Sequence, residues 1–169
     1  MSNLILLDST DISSNTSSIS VNNVFTTDHN FYKIVLTNVT ADTSTNDINL
    51  RFINSGGIIS DSSYDYAWLR MRTSGFNDIN ATSQSSLTTA FGQINSNLGS
   101  GGLGYVINPN ISSRTFFMGK AGGMSGTETR SFKYIGGLGS DTACTGFNIF
   151  PGSNNIATAT IRTYAFKVN

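Results

Sequence analysis

Alternation between apolar and polar side chains is the feature that most constrains this chain. In residues 48–53 (INLRFI), the apolar residues Ile48, Leu50 and Phe52 are separated by polar ones. The closing segment 157–168 (ATATIRTYAFKV) alternates in the same way. A period of two residues places successive side chains on opposite faces of a β-strand, so both segments are predicted to be half-buried strands.

Comparable segments recur along the sequence and are separated by Gly, Asn and Ser, which favour turns. They predict further strands at residues 3–8, 19–25, 31–40, 64–73, 104–108, 114–121, 128–137 and 145–151. About eight to ten strands at this spacing, with no confident helix, indicate an all-β domain: a two-sheet sandwich, a jelly-roll or Greek-key fold, or a small barrel.

Two polar segments interrupt this pattern. Residues 9–18 follow a short apolar run, so we expect residues 1–18 to form an N-terminal arm and linker, and residues 19–169 to form the sandwich. Residues 77–103 are rich in Ser, Thr, Asn and Gly and are predicted to be mostly a long loop. Within them begins the Gly-rich stretch 99–104, which we interpret as a flexible hairpin or assembly arm.

Composition excludes several classes of protein. Ser, Thr, Asn and Gly make up close to half of the chain, only 12% of residues are charged, and the formal net charge is zero. Such a chain lacks the basic surplus of a phosphate-driven nucleic-acid binder and the residues of a helical bundle. Its apolar content argues against disorder, and no apolar stretch approaches the length of a membrane-spanning helix. We expect no nucleic-acid partner and no membrane insertion.

Catalytic and metal-binding patterns are weak. The single histidine, His29, follows Asp28 in a turn-like segment, where a local polar turn is a more ordinary role than a catalytic pair. Asp61 and Asp65 could contribute to a Ca²⁺ site, but no calcium-loop motif is present. The lone Cys144 cannot form an internal disulfide. We therefore expect a non-enzymatic protein without cofactor or metal.

One predicted strand has an aromatic face. Tyr64, Tyr66 and Trp68 alternate along it, Arg70 continues the same face, and Asp65 lies beside them. Aromatic rings in this pattern either pack in the core or form a platform that stacks on sugar rings. These five residues are therefore the candidate glycan-binding or interface face, and continuation into arginine indicates that its far end emerges at a surface.

Three segments resemble the small all-β virion proteins of tailed bacteriophages, particularly marine and cyanobacterial ones. The matching features are a Tyr-Asp-Tyr step after a Gly-rich turn, an Asn-Pro that opens a later strand, and a closing segment with Phe-Pro and Ile-Arg-x-Tyr. In this sequence they are Tyr64–Tyr66, Asn108-Pro109, Phe150-Pro151 and Ile161–Tyr164.

The resemblance implies a single antiparallel β-sandwich of jelly-roll-like type. It also implies a structural subunit of a tail fibre or tip, a collar or a capsid decoration, assembled in the host cytoplasm and located in the virion. Its expected partners are copies of itself, in a trimer or a lattice, and other virion proteins. The alternatives are a module that binds a host-surface glycan at a fibre tip and, more remotely, a polysaccharide depolymerase. The N-terminal run Leu4, Ile5, Leu6 and Leu7 is the candidate docking arm, which would add a strand to a neighbouring subunit.

Overall fold

The computed structural model describes residues 3–43, 45–96, 98–125 and 127–167. All regular elements in these residues are β-strands, and none of the residues described is helical. In chain order the strands are β1 (Leu4–Ile12), β2 (Ile19–Val21), β3 (Phe31–Ala41), β4 (Asn46–Asn54), β5 (Gly57–Ile58), β6 (Tyr64–Arg72), β7 (Gly75–Gln84), β8 (Gln93–Ile94), β9 (Ser100–Ile107), β10 (Thr115–Ser125), β11 (Glu128–Leu138), β12 (Gly146–Pro151) and β13 (Ile156–Phe166).

Two sheets form the sandwich. The large sheet has eight strands in the order β1-β13-β3-β9-β10-β11-β6-β7, and the small sheet is built from β2-β12-β4-β5, with β8 also pairing with β4. All pairings in the large sheet are antiparallel. The predicted all-β sandwich is confirmed.

The chain winds between the sheets in a jelly-roll-like manner. Successive strands β1 to β4 alternate between the large and small sheets, and β12 and β13 do the same at the other end of the chain. As a result β13 lies between β1 and β3, while β12 lies between β2 and β4. The remaining strands of the large sheet, β9 to β11 and the β6–β7 hairpin, extend one side of the sandwich.

The core lies between the sheets and follows the alternation in sequence. Ile48, Leu50 and Phe52 of β4 are fully buried, as the period-two pattern predicts. The large sheet contributes alternate side chains of each strand, such as Tyr32 and Ile34 of β3. One apolar cluster contains all of them, so a single core supports the domain.

The N-terminal run is not a free arm. Residues 4–12 form β1, which pairs along its length with β13 of the same chain, from Leu4 opposite Phe166 to Ile12 opposite Ala159. We expected residues 1–18 to form an arm and linker apart from the sandwich. This expectation is corrected for β1, which is an edge strand of the large sheet. The backbone N–H and C=O groups of a short apolar segment need hydrogen-bond partners, and pairing with β13 provides them.

The predicted long loop of residues 77–103 is also corrected. It contains most of β7, all of β8 and the beginning of β9. The sequence does not predict β7, because its large apolar residues, Phe76 and Ile79, are three positions apart and therefore lie on opposite faces of the strand. They form no alternating apolar pattern. Both are exposed, since β7 is an edge strand of the large sheet.

The Gly-rich stretch forms a central strand, not a hairpin or an assembly arm. Strand β9 lies between β3 and β10 in the large sheet. A Cβ atom on its Gly104 would fall within the ring of Phe117, which is fully buried. The glycine is thus required by close packing of an aromatic side chain and not by backbone flexibility.

Candidate functional site

The outer face of the large sheet, turned away from the small sheet, is open along its middle strands. It forms a groove of about 730 Å³, which we call the outer groove. The side chains that line it are mostly apolar and come from four adjacent strands: Leu69 of β6, Leu103 and Tyr105 of β9, Met118 and Lys120 of β10, and Lys133 and Ile135 of β11. An apolar surface of this kind is typical of an interaction site.

Strand register places these side chains in continuous rows. Met118 lies opposite both Tyr105 and Ile135 in the neighbouring strands. Met118 is 40% exposed and Ile135 is 57% exposed. Alternation turns every second residue of a strand outward, and here the outward set is apolar where water would favour polar residues.

Aromatic rings continue the apolar face beside the groove. The ring of Phe31 stacks on Tyr105 at 5.4 Å and on Phe166 at 4.5 Å between ring centroids. Phe166 lies opposite Leu4, so the apolar surface reaches the edge strand β1. The outer face is therefore apolar from one edge of the sheet to its centre.

Lysines provide the charge at the centre of this face. Lys120 and Lys133 lie directly opposite each other in β10 and β11. Lys33 lies opposite Tyr105 in the neighbouring strand β3. Among the described residues none of these lysines has an ion-pair partner. Like charges placed directly opposite across strands destabilise a sheet, so this pair is better suited to a surface that meets carboxylates.

The aromatic strand predicted as a glycan face lies mainly in the core. The Tyr64 side chain is fully buried and Trp68 is 8% exposed. Tyr66 is half-buried and stacks on Tyr134 at 5.8 Å. Their rings pack between the two sheets and are not accessible as a platform for sugar rings, so the core interpretation of this face describes them.

The other two members of that candidate face are at its margins. Asp65 points to the opposite, outer side of β6 and is exposed, where its carboxylate accepts a hydrogen bond from the Ser83 amide at 2.9 Å. Arg70 is half-buried, and its guanidinium lies 5.8 Å from the centre of the Trp68 ring. The face thus changes from aromatic core to a cationic margin at Arg70.

The candidate docking run lies at the sheet edge. Ile5, Leu6 and Leu7 are 40%, 53% and 37% exposed, and Leu4 is half-buried. A β-bulge between Leu6 and Asp8 interrupts their register with β13. Consecutive exposed apolar residues on an edge strand provide a surface that a neighbouring chain can cover.

The adjacent residues Asp28 and His29 contact different neighbours. The Asp28 carboxylate accepts a hydrogen bond from the Thr26 hydroxyl at 3.3 Å, while His29 packs edge-on against Tyr32 at 6.1 Å. Within the described residues, no group of three or more His, Cys, Asp or Glu side chains is placed to hold a metal ion. Within the part of the chain that the structure describes, there is no helix of the length and hydropathy needed to cross a membrane.

The fold and the outer face together define an all-β sandwich with an open apolar sheet surface. No family model matches the sequence, and no curated protein matches it. Among solved structures, the CBM2 module of the evolved Dit of Lactobacillus casei BL23 phage J-1 is similar over 90% of this chain and 70% of that chain. The sequence identity between the two chains is 10%, and the TM-score is 0.24.

Proposed function

We propose that this chain is a non-enzymatic structural protein of a tailed-phage virion that acts by subunit assembly. The observation that supports it best is the apolar outer face, with Leu69, Phe116, Met118 and Ile135 all at least 37% exposed on three adjacent strands. Monomeric proteins rarely leave such a surface in water, whereas a subunit buries it against a neighbour. The resemblance of the sequence to small phage virion proteins provides the biological setting.

The neighbour that we propose is another copy of this chain, bound through a different surface of that copy. Lys33, Lys120 and Lys133 would oppose one another if two outer faces met directly. Eight of the ten Asp and Glu residues lie outside the four strands that line the outer groove. A head-to-tail contact avoids lysine–lysine repulsion, and contacts of that type close into rings such as trimers or extend into lattices.

The exposed run Leu4–Leu7 is proposed to contribute to the same assembly. It lies on the edge strand of the outer face, next to the aromatic residues of β13. In a ring of copies, this edge would contact the neighbouring subunit through side chains or through exchange of β1 between chains. The position within the particle, as fibre, collar or capsid decoration, follows from the symmetry of that contact.

The experiment compares Ile135→Lys with Ile58→Lys by analytical ultracentrifugation. Ile135 is in the outer groove, whereas Ile58 is 46% exposed on β5 of the small sheet, so each substitution adds one lysine at an exposed site. We expect the wild-type chain and Ile58→Lys to form the same oligomer and Ile135→Lys to dissociate. A monomeric wild-type chain at high concentration, or equal behaviour of the two variants, overturns the assembly surface.

The virion assignment is tested separately, on particles from the host that produces this chain. Mass spectrometry of purified particles is expected to find the chain in a fixed ratio to the other particle proteins. Its absence from particles would overturn the virion assignment even if the purified chain assembles.

A further inference from the structure

Three arginines come together on the inner side of the large sheet, at the end that follows the aromatic core. Arg70 and Arg72 are two residues apart on β6 and therefore share a face. Arg72 lies directly opposite Arg130 of β11, and Arg70 lies opposite the next inward residue of that strand, Phe132. We call Arg70, Arg72 and Arg130 the arginine cluster.

Only one member of the cluster is neutralised. Arg130 donates from Nε to Glu128 at 2.9 Å and from Nη1 to the side-chain oxygen of Gln93 at 2.5 Å. Glu128 also accepts a hydrogen bond from the Ser74 hydroxyl. Glu128 is thus already occupied by Arg130 and Ser74, and the nearby carboxylate of Asp47 accepts a hydrogen bond from the Gln93 side-chain amide at 2.9 Å.

Arg70 and Arg72 are left without such partners. The Nε atom of each is buried and has no hydrogen-bond partner among the described residues. Burial and the nearby charges of Arg130 and Arg72 lower the pKa of Arg70, while Glu128 and Asp47 act in the opposite direction. A guanidinium stays charged in proteins, so Arg70 and Arg72 remain cationic beside Arg130, without an ion pair of their own among the described residues.

The surroundings of the cluster are polar and accessible. Asn77 of β7 lies opposite Arg70 and is half-buried, and Gln93 of β8 contacts Arg130. The core of a protein–protein interface is usually apolar and depleted of charge, which describes the outer groove and not this end of the sheet. Amide and hydroxyl groups beside guanidinium forks suit a ligand that has hydroxyls as well as a negative charge.

We propose that the arginine cluster binds the carboxylate groups of an acidic polysaccharide. Arg70 and Arg72 would supply the free N–H donors, and Asn77 would pair with sugar hydroxyls. A planar carboxylate matches the guanidinium fork in two parallel hydrogen bonds. This proposal is independent of the assembly surface, because its side chains lie on the inner side of β6 and β11, whereas the assembly surface uses the outer side of the sheet.

The only tryptophan of the chain reports on the cluster directly. Trp68 is within 5.8 Å of the Arg70 guanidinium, so carboxylate binding there is expected to change its fluorescence. The titration uses oligogalacturonate, an uncharged oligosaccharide of the same length, polyglutamate, and inorganic sulfate and phosphate. We expect saturable binding of oligogalacturonate, no binding of the uncharged oligosaccharide, and weakening as salt is added.

Variants locate the site. Arg72→Gln removes a cluster arginine, while the control Arg114→Gln makes the same change at an exposed arginine just before β10, at the other end of the sheet. We expect Arg72→Gln to weaken oligogalacturonate binding at least about tenfold, as expected for loss of a charged hydrogen-bonding partner. Arg114→Gln is expected to bind like the wild type. Thermal unfolding of both variants verifies that they are folded; Arg70→Gln serves as the second cluster variant if Arg72→Gln does not fold.

Four outcomes overturn the proposal. The first is that the wild-type chain binds no oligogalacturonate, and the second is that Arg114→Gln weakens binding as much as Arg72→Gln. The third is response to sulfate or phosphate alone, which means an adventitious ion only. The fourth is polyglutamate binding as tight as oligogalacturonate, which makes the partner an acidic protein.

Discussion

The phenol of Tyr64 connects the two sheets, and removing it gives a quantitative test of the fold. Tyr64 is fully buried on β6 of the large sheet. Its hydroxyl accepts a hydrogen bond from the amide of Phe52 in the small sheet and donates one to the carbonyl of Ile59, each at 2.9 Å. The substitution Tyr64→Phe keeps the ring and leaves both backbone groups without that partner.

The expected cost follows from those two groups. A buried polar group that loses its partner costs about 1–3 kcal/mol, so Tyr64→Phe should lower the free energy of unfolding by about 2–4 kcal/mol. For a chain of this length, about 1 kcal/mol corresponds to a change of about 2–4 °C in Tm. We therefore expect Tm to fall by about 5–15 °C.

Tyr134 provides the matched control. It lies on the neighbouring strand β11, is 4% exposed, and its hydroxyl has no hydrogen-bond partner among the described residues. Tyr134→Phe removes an unpaired buried hydroxyl, so the free energy of unfolding should stay equal or rise by up to about 3 kcal/mol. The same chemical change is thus expected to lower stability at Tyr64 and to leave it equal or raise it at Tyr134.

Urea unfolding at equilibrium, monitored by Trp68 fluorescence and by circular dichroism, measures both variants. Differential scanning calorimetry measures the change in Tm. The reasoning is refuted if both variants shift stability in the same direction by similar amounts, because hydrogen bonding at Tyr64 would then not distinguish them.

Alkaline pH provides a second measurement on the same hydroxyls. Burial raises the pKa of Tyr64 and of Tyr134 above the usual value of about 10. A raised pKa in the folded state means that the stabilising contribution is complete below about pH 10 and is lost as pH rises further. Burial also raises the pKa of Cys144 to about 11, so the contribution of this thiol to stability begins to decline above its ordinary pKa of 9.0. Stability that stays constant between pH 9 and pH 11 would contradict these directions.

Two further substitutions test close packing and cross-strand charge. Gly104→Ala inserts a methyl group into the space of the Phe117 ring and should cost about 1–3 kcal/mol in urea unfolding, whereas Gly122→Ala on β10 has no atom nearer than 4.0 Å and should cost little. Lys133→Glu turns the opposed pair with Lys120 into opposite charges and should raise the free energy of unfolding by about 0.2–1 kcal/mol; a loss of stability would show that the pair does not repel.

Alternation in the sequence was sufficient to predict most of the strands, because each of them has one buried face. Residues 31–40 and 48–53 correspond closely to β3 and β4, and Ile48, Leu50 and Phe52 of β4 are buried as predicted. Strand β7 has no such face, since both Phe76 and Ile79 are exposed at the edge of the sheet. Its pairing with β6 depends on backbone hydrogen bonds, which leave no hydrophobic pattern in the sequence.

The site was harder to predict than the fold. Tyr64 and Trp68 form an aromatic alternation that is identical for a core strand and for a binding platform, and only the position of the small sheet decides between them. The outer groove combines residues from four strands that are far apart in sequence, such as Leu69 and Ile135. In the sequence, apolar residues at alternate positions have the same pattern whether they face the core or the solvent. The sequence does not show which face of the large sheet is covered by the small sheet.

The zero net charge of the chain conceals an uneven distribution of charge. Strands β6, β10 and β11 are adjacent or separated by one strand, and they contain five of the ten Lys and Arg residues but only two carboxylates. Across these strands Lys120 faces Lys133 on the outer side, and Arg72 faces Arg130 on the inner side. Two like-charged pairs on opposite faces of the same strands oppose folding, and neither is fully neutralised within the described residues. Because the outer pair lies in an apolar groove and the inner pair beside polar groups, the two faces are suited to different partners: a neighbouring subunit outside and an acidic ligand inside.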